Sequence, residues 1–490
     1  MEPKLKNYIN GEWVESRSLN FLNVVNPADG SLLSRVPAGS GDDVALVAEK
    51  ACRAFKSWSE TPVTQRVQYL FRMKQILEKN AAEIAEICTK ECGKTFAESM
   101  AEILRAVENI EVACGVPKLM QSEFSEDITK GIDEFVVRQP VGVGASIAPF
   151  NFPVMIAFWF MPYAIACGNT YIVKPSEKVP MSMTRIFELF EDLNLPPGVL
   201  NMVHGGKETV DAILRHPCIN AISFVGSTNV AKYVYQTGAA NGKRVQAQGG
   251  AKNPVVVMPD ADIDTTVKII ADSAFGCAGQ RCLAASLVML IGSAAETFTG
   301  KIVAAGAARK TGNGLMTGIE MGPVITKESK DRIHRLIQNG IADGARVLLD
   351  GRNIKIAGSE NANFIGPTIL DNVNAGSEIY STEVFGPVLC LINVDSLDNA
   401  IMLINSSRYG NSACIFTRSG AAARKFRNET LAGNIGINIG IAAPMAFFPF
   451  SGWKESFFGD LHGQSHHAVE FYTQTKVVIE RWHDEWTRKF

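Results

Sequence analysis

With 490 residues, 46% of them apolar, the chain is long enough for two or three hydrophobic cores. Its formal net charge of -2 leaves no electrostatic footprint for nucleic acid or an anionic membrane, so neither is expected as a partner. Ten cysteines without a CxxC pair argue against a disulfide framework or a zinc site, and no metal is assigned.

Met1 to Ser16 forms a lysine-bearing lead-in to a hairpin around Asn10-Gly11, without the apolar core of a secretory signal. A cytoplasmic location is the expectation. From Thr64 to Cys88, Val67, Leu70, Phe71, Leu77, Ile84, Ile87 and Cys88 fall largely on one helical face, and Gly93 supplies a stop. A second helix runs from about Thr95 to Cys114. Glu98, Glu102, Arg105, Glu108 and Asn109 form its polar side, so Arg105 is expected to pair with Glu102 or Glu108 on a solvated face.

Residues 139–173 carry no charged side chain, yet the apolar run Phe152 to Cys167 is 16 residues long and prolines and asparagines interrupt the region. A membrane span needs about 20 apolar residues, so a buried strand, a tight loop and a buried helix are expected instead. Beyond this region strands near 143–148, 171–174, 200–203, 221–225 and 244–247 alternate with helices near 153–167, 181–193, 207–215 and 228–238. This alternation predicts an α/β fold with a doubly wound parallel sheet, whose ligands sit beyond the carboxyl ends of the strands.

Two such ends are chemically suggestive. Phe224-Val225-Gly226-Ser227-Thr228 puts a glycine and hydroxyls at a helix start, either a pyrophosphate seat or an ordinary N-cap. Lys174-Pro175-Ser176-Glu177 offers groups for ribose hydroxyls or forms an ordinary surface loop. A second αβ unit begins past Gly249-Gly250 with Val255-Val256-Val257 and the turn Asp260-Ala261-Asp262. It contains Phe275-Gly276-Cys277-Ala278-Gly279-Gln280-Arg281-Cys282, a small-residue loop before the β-type run Ser286 to Ile291, where a thiol can sit at a cleft mouth. Val469 to Trp482 is expected to be a strand in an outlying sheet with Phe135-Val136-Val137, a candidate oligomer contact.

Five segments in order and spacing resemble the aldehyde dehydrogenase superfamily: Gly144 to Pro153, Lys174 to Glu177, Phe224 to Thr228, Gly279 to Cys282 and Glu383-Val384-Phe385-Gly386-Pro387. Lys6 to Val14, Arg281 before the cysteine, Pro449 to Lys454, Ser456 to Gly459 and Phe471-Tyr472-Thr473 are similar to its CoA-acylating methylmalonate-semialdehyde and malonate-semialdehyde dehydrogenase branch. Gln464-Ser465-His466-His467 departs from the Gly-Lys of that branch, at a place remote in sequence from the chemistry.

The resemblance implies two doubly wound parallel-sheet domains and a small β arm. Residues 1–122 and 144–250 would form an NAD-binding domain, 251–447 a catalytic domain, and 123–143 with 468–490 an oligomerisation arm of a homotetramer or homodimer. It makes Cys282 the nucleophile and Asn151 the side-chain oxyanion donor, working with the Cys282 backbone N–H. Lys174 and Glu177 would bind the adenosine ribose of NAD, Gly226 and Ser227 the pyrophosphate, and Glu383 and Phe385 the nicotinamide ribose, with Phe150 among the cofactor residues. Glu177 favours NAD over NADP, because its carboxylate accepts from a 2′-hydroxyl and repels a 2′-phosphate.

Hydrolytic members carry a glutamate two residues before the paired glycines, as the base that activates water. Here Ala247 stands there, and no carboxylate occurs from Asn241 to Lys252. A thiol is therefore the expected acyl acceptor; the resemblance implies that it is coenzyme A, and that a malonyl-type thioester loses CO2 to give acetyl-CoA or propionyl-CoA. Arg281 beside the nucleophile and, by the resemblance, Arg105 are expected to hold the substrate carboxylate, a task that bidentate guanidinium forks suit. The alternatives are a hydrolytic enzyme using a water oriented by Gln248, and a non-catalytic structural descendant.

Overall fold

The computed structural model describes residues 4–359 and 362–482. Its first sheet has eight strands in the order Glu12–Val14, Asn7–Ile9, Leu200–Met202, Thr170–Lys174, Val143–Ile147, Ile219–Val225, Arg244–Gln248 and Phe457–Phe458. The five from Leu200–Met202 to Arg244–Gln248 run parallel, and antiparallel pieces flank them on both sides. All five expected parallel strands lie within two residues of their anticipated ends. They are buried nearly throughout, which is why they appear in sequence as continuous apolar runs without alternation.

A second, seven-stranded sheet runs Arg346–Leu349, Thr368–Asp371, Val388–Val394, Ala285–Ile291, Asn253–Val257, Ser412–Phe416 and Asn434–Ile437. Only its Arg346–Leu349 edge is antiparallel. Separate apolar clusters cover the faces of the two sheets. A third sheet pairs Thr473–Arg481 with Ile132–Pro140 and Phe124–Thr129, all antiparallel. Residues 483–490, counted from sequence with this outlying sheet, lie outside the described residues.

Four local expectations change. The helix expected over 64–88 is two, Val63–Lys79 and Ala81–Cys92, broken at Asn80, whose side-chain amide donates to the Ile76 carbonyl (2.8 Å). The helix expected over 153–167 splits into Met155–Phe158 and Met161–Cys167, with Pro162 in the first turn of the second, where a missing N–H costs nothing. The C-terminal strand starts at Thr473, after a short helix Ser465–Phe471. The polar side of the Phe96–Cys114 helix is not a solvated face, because Glu102 and Asn109 are buried while Leu104 is exposed.

No helix among the described residues is long and apolar enough to cross a membrane. The uncharged run 152–167 lies instead in the largest apolar cluster, against the Phe96–Cys114 helix.

Candidate active site

Cys282 follows the turn Gly276–Gly279 and precedes the Ala285–Ile291 strand. The turn is held open by two successive left-handed non-glycine residues, Cys277 (φ 50°) and Ala278 (φ 53°). A Cβ on Gly279 would lie 2.1 Å from the Gly386 carbonyl, so only glycine lets this loop close on the Glu383–Pro387 segment. The carbonyl of Cys282 accepts from Asn253 Nδ2 (2.8 Å) and Asn411 Nδ2 (2.7 Å). Neither asparagine stood out in the sequence. Their role depends on three strands converging, and no local pattern announces it.

The thiol is partly buried and packs against the large core. Burial pushes it up to about 12, the Glu383 carboxylate adds to the shift, and nearby backbone N–H groups and Arg281 pull the other way. In the cofactor-free protein the sulfur is therefore protonated at neutral pH.

Asn151, 7% exposed, follows the Val143–Ile147 strand and donates its amide to the Gln280 carbonyl (2.9 Å), two residues before Cys282. A carboxamide has two N–H groups, so one remains for an oxyanion. The Asn151 backbone is anchored by a pair that sequence reasoning missed. Lys94 Nζ donates to the Asn151 carbonyl (2.9 Å) and forms a fully buried ion pair with Glu102. Glu102 Oε1 accepts from Val154 N (2.8 Å) and Met155 N (2.9 Å), at the start of the next helix. The only sequence signal was a lysine and a glutamate eight residues apart around a helix start.

A cavity of about 460 Å³ opens beside Cys282, walled largely by apolar side chains including Phe152, Met155, Trp159, Leu283, Ile441 and Phe450. Both expected arginines line it. Arg281 pairs with Glu98 (2.9 Å), whose other oxygen accepts from the Thr95 backbone in the helix capping box. Arg105 pairs with Glu108 (2.6 Å) and donates to the Pro444 carbonyl (2.7 Å). The solvated i,i+3 pair expected from sequence thus exists, but at a cavity wall.

Gln464 also lines this cavity, so the segment that departs from the branch pattern is remote only in sequence. Ala247 is fully buried between Phe224 and Phe458 on neighbouring strands. Gln248 donates to Asn411 Oδ1 (3.1 Å) and is not among the cavity residues, which removes the basis for a water oriented by it.

The expected cofactor residues lie around the carboxyl ends of the first sheet and the loop facing them. Lys174 ends its strand and pairs with Glu177 (3.2 Å). Burial raises the Glu177 carboxyl, but Lys174, a backbone hydrogen bond and Lys178 together outweigh it and hold it below the usual range, so it accepts hydrogen bonds as an anion. Ser227 is the N-cap of the Thr228–Ala240 helix and makes no cap bond, leaving its hydroxyl and the helix N–H groups for an anion.

Across the cleft, Glu383 accepts from Ala251 N (3.0 Å), and burial raises its carboxyl to about 7. Phe150 and Phe385 meet edge to face at 5.7 Å, Phe385 in a left-handed conformation (φ 54°). Arg332, also unanticipated, fixes this loop by donating to the Glu383 and Val384 carbonyls, 2.7 Å each.

An aldehyde dehydrogenase family model matches residues 13–478. A malonate-semialdehyde dehydrogenase of Geobacillus kaustophilus is 48% identical over 98% of this chain and 99% of its own, and one of Pseudomonas aeruginosa is 44% identical over 98% and 96%. Among solved structures, a methylmalonate-semialdehyde dehydrogenase of Oceanimonas doudoroffii superposes with a TM-score of 0.97 at 42% identity over 99% of both chains. A Sinorhizobium meliloti chain assigned to the same activity and solved with NAD matches equally well, with TM-score 0.97, 42% identity and 99% of both chains.

Proposed function

The chain belongs to the aldehyde dehydrogenase family, and from that premise we propose that it oxidises malonate or methylmalonate semialdehyde with NAD and passes the acyl group, after loss of CO2, to coenzyme A. One observation carries the acyl-transfer half. Ala247 stands where a water-activating carboxylate would be, and the two carboxylates that line the cavity are committed, Glu98 to Arg281 and Glu102 to Lys94. With no free carboxylate on the cavity wall and Glu383 assigned to the nicotinamide ribose, water attacks a thioester slowly, whereas a thiol brings its own nucleophilicity.

In this reading the Cys282 sulfur, as thiolate, attacks the aldehyde carbon. The Asn151 amide and the Cys282 N–H hold the oxyanion. NAD, when bound, supplies the hydride acceptor; Lys174, Glu177, Gly226, Ser227, Glu383, Phe385 and Phe150 would hold it, and the free Ser227 hydroxyl and anionic Glu177 fit a pyrophosphate and a ribose diol. Oxidation leaves an acyl thioester on Cys282. When its β-carboxylate departs as CO2, the electron pair passes to the thioester oxygen, where the same two donors stabilise it until the carbon is protonated. The coenzyme A thiol then displaces Cys282.

Arg105 and Arg281 are assigned to the substrate carboxylate. Their ion pairs hold two partly buried guanidinium groups at the cavity without an uncompensated charge before substrate arrives. We assign residues 1–122 and 144–250 to cofactor binding, 251–447 to catalysis, and 123–143 with 468–490 to an oligomerisation arm of a homodimer or homotetramer. The exposed Phe124, Ile128, Val477 and Ile479 on the arm support this. A cytoplasmic location accords with ten unpaired cysteines.

The test follows NADH with malonate semialdehyde, with and without coenzyme A, and analyses the products. Acetyl-CoA and coenzyme A-dependent turnover are expected, and free acid formed at the same rate without coenzyme A would refute the acyl-transfer reading. Replacing Arg105 or Arg281 by Leu is expected to raise KM for the carboxylated aldehyde more than for propanal.

A further inference from the structure

Gln464 sits where its backbone should not. Its φ of 71° and ψ of 163° fall in a region populated essentially by glycine, and Ser465 beside it is also left-handed (φ 57°). Such a conformation is strained and persists only where the surroundings over-determine it.

Here they do. Ser465 Oγ donates to the Phe447 carbonyl (2.7 Å), Phe450 N to the Gly463 carbonyl (3.1 Å), and Ala468 N to the Gln464 carbonyl (3.1 Å). The strained turn delivers Gln464, 2% exposed, to the wall of the cavity that holds Cys282, Arg105 and Arg281. Its carboxamide makes no cap bond to the helix that it precedes. A carboxamide on a largely apolar cavity wall with no protein partner is left to cavity water until a ligand satisfies it. The two arginines on that wall are already ion-paired, which leaves the Gln464 N–H groups as uncommitted donors.

We propose that Gln464 is a specificity-determining residue whose carboxamide donates a hydrogen bond to the carboxylate of the bound semialdehyde. The inference rests on the substrate class proposed above. A neutral donor completes the carboxylate's hydrogen-bonding without adding a third cation to a cavity whose charges already balance in pairs.

The test measures kcat/KM for malonate semialdehyde and for propanal, at saturating NAD and coenzyme A, in wild type, Gln464→Leu, Gln464→Asn and Gln464→Glu. Gln464→Leu is expected to lower the malonate semialdehyde-to-propanal ratio about tenfold or more, mainly through KM for the carboxylated aldehyde, as a site built to hydrogen-bond its substrate loses discrimination when a partner is removed. Gln464→Glu should lower the ratio further, and Gln464→Asn should restore part of it.

Gln464→Gly removes the amide and the backbone strain together. It is expected to raise the melting temperature while losing the same discrimination, which separates recognition from folding. An unchanged ratio in Gln464→Leu and Gln464→Gly, in a protein whose wild type prefers malonate semialdehyde, overturns this assignment alone. A wild type that does not prefer the carboxylated aldehyde overturns the substrate class and this inference with it.

Discussion

Replacing Asn151 with alanine tests the oxyanion role proposed for it. Its amide makes a 2.9 Å bond to the Gln280 carbonyl and, in the proposed mechanism, turns its second N–H to the substrate oxyanion. Losing one oxyanion donor typically costs about 2.7–4 kcal/mol of barrier stabilisation, or about 100- to 1,000-fold in rate. Losing the bond to the buried Gln280 carbonyl costs about 1–3 kcal/mol of stability. The Lys94 bond is made to the Asn151 backbone, so it survives the substitution and keeps the loop in place.

The assay is a stopped-flow NADH burst without coenzyme A, which reports acylation alone, paired with a thermal melt. The burst rate constant should fall about 100- to 1,000-fold, the melting temperature by a few degrees, and KM little, since the arginines proposed to hold the substrate carboxylate are untouched. A burst slowed less than about tenfold in a folded variant would refute the oxyanion role, because that loss is below what one preorganised donor supplies.

Three further outcomes follow from the charge environment. Because the Cys282 thiol is raised to about 12 in the cofactor-free protein, its alkylation by iodoacetamide should climb about tenfold per pH unit from pH 7 to 10 without a plateau, read by mass spectrometry of the Cys282 peptide. Glu383, raised to about 7 from an ordinary 4.5, contributes stability that is complete below pH 4.5 and lost as pH rises through 7. Glu383→Gln should therefore match wild type near pH 4.5 and exceed it by about 3 kcal/mol at pH 8 in cofactor-free denaturation, while binding NAD more weakly. Lys94→Met strands Glu102 as a buried charge and should cost about 3–5 kcal/mol in urea denaturation, whereas Lys94→Met with Glu102→Leu should recover much of that loss.

Local chemistry determined a large part of this protein. The five buried parallel strands, the helix starts at Thr95 and Ser227, and the loop before Cys282 were legible because runs of apolar residues, N-caps and glycines act over a few neighbours. The absent base was legible for the same reason: Ala247 occupies a position defined by the adjacent paired glycines. Helix breaks at Asn80 and before Pro162 were missed because apolar periodicity continues across them, and hydrogen bonding and packing decide which turn yields.

Only the tertiary structure decided how the charges are committed. Arg281 and Glu98, Lys94 and Asn151, Asn253 and Asn411 around the Cys282 carbonyl, and Gln464 in the cavity wall come from segments dozens to hundreds of residues apart. Electrostatic and hydrogen-bond energies depend on distance and burial in space, and sequence separation carries neither. The chain alone therefore identified the groups capable of the chemistry, and the fold determined which of them are already paired and which remain free to meet a substrate.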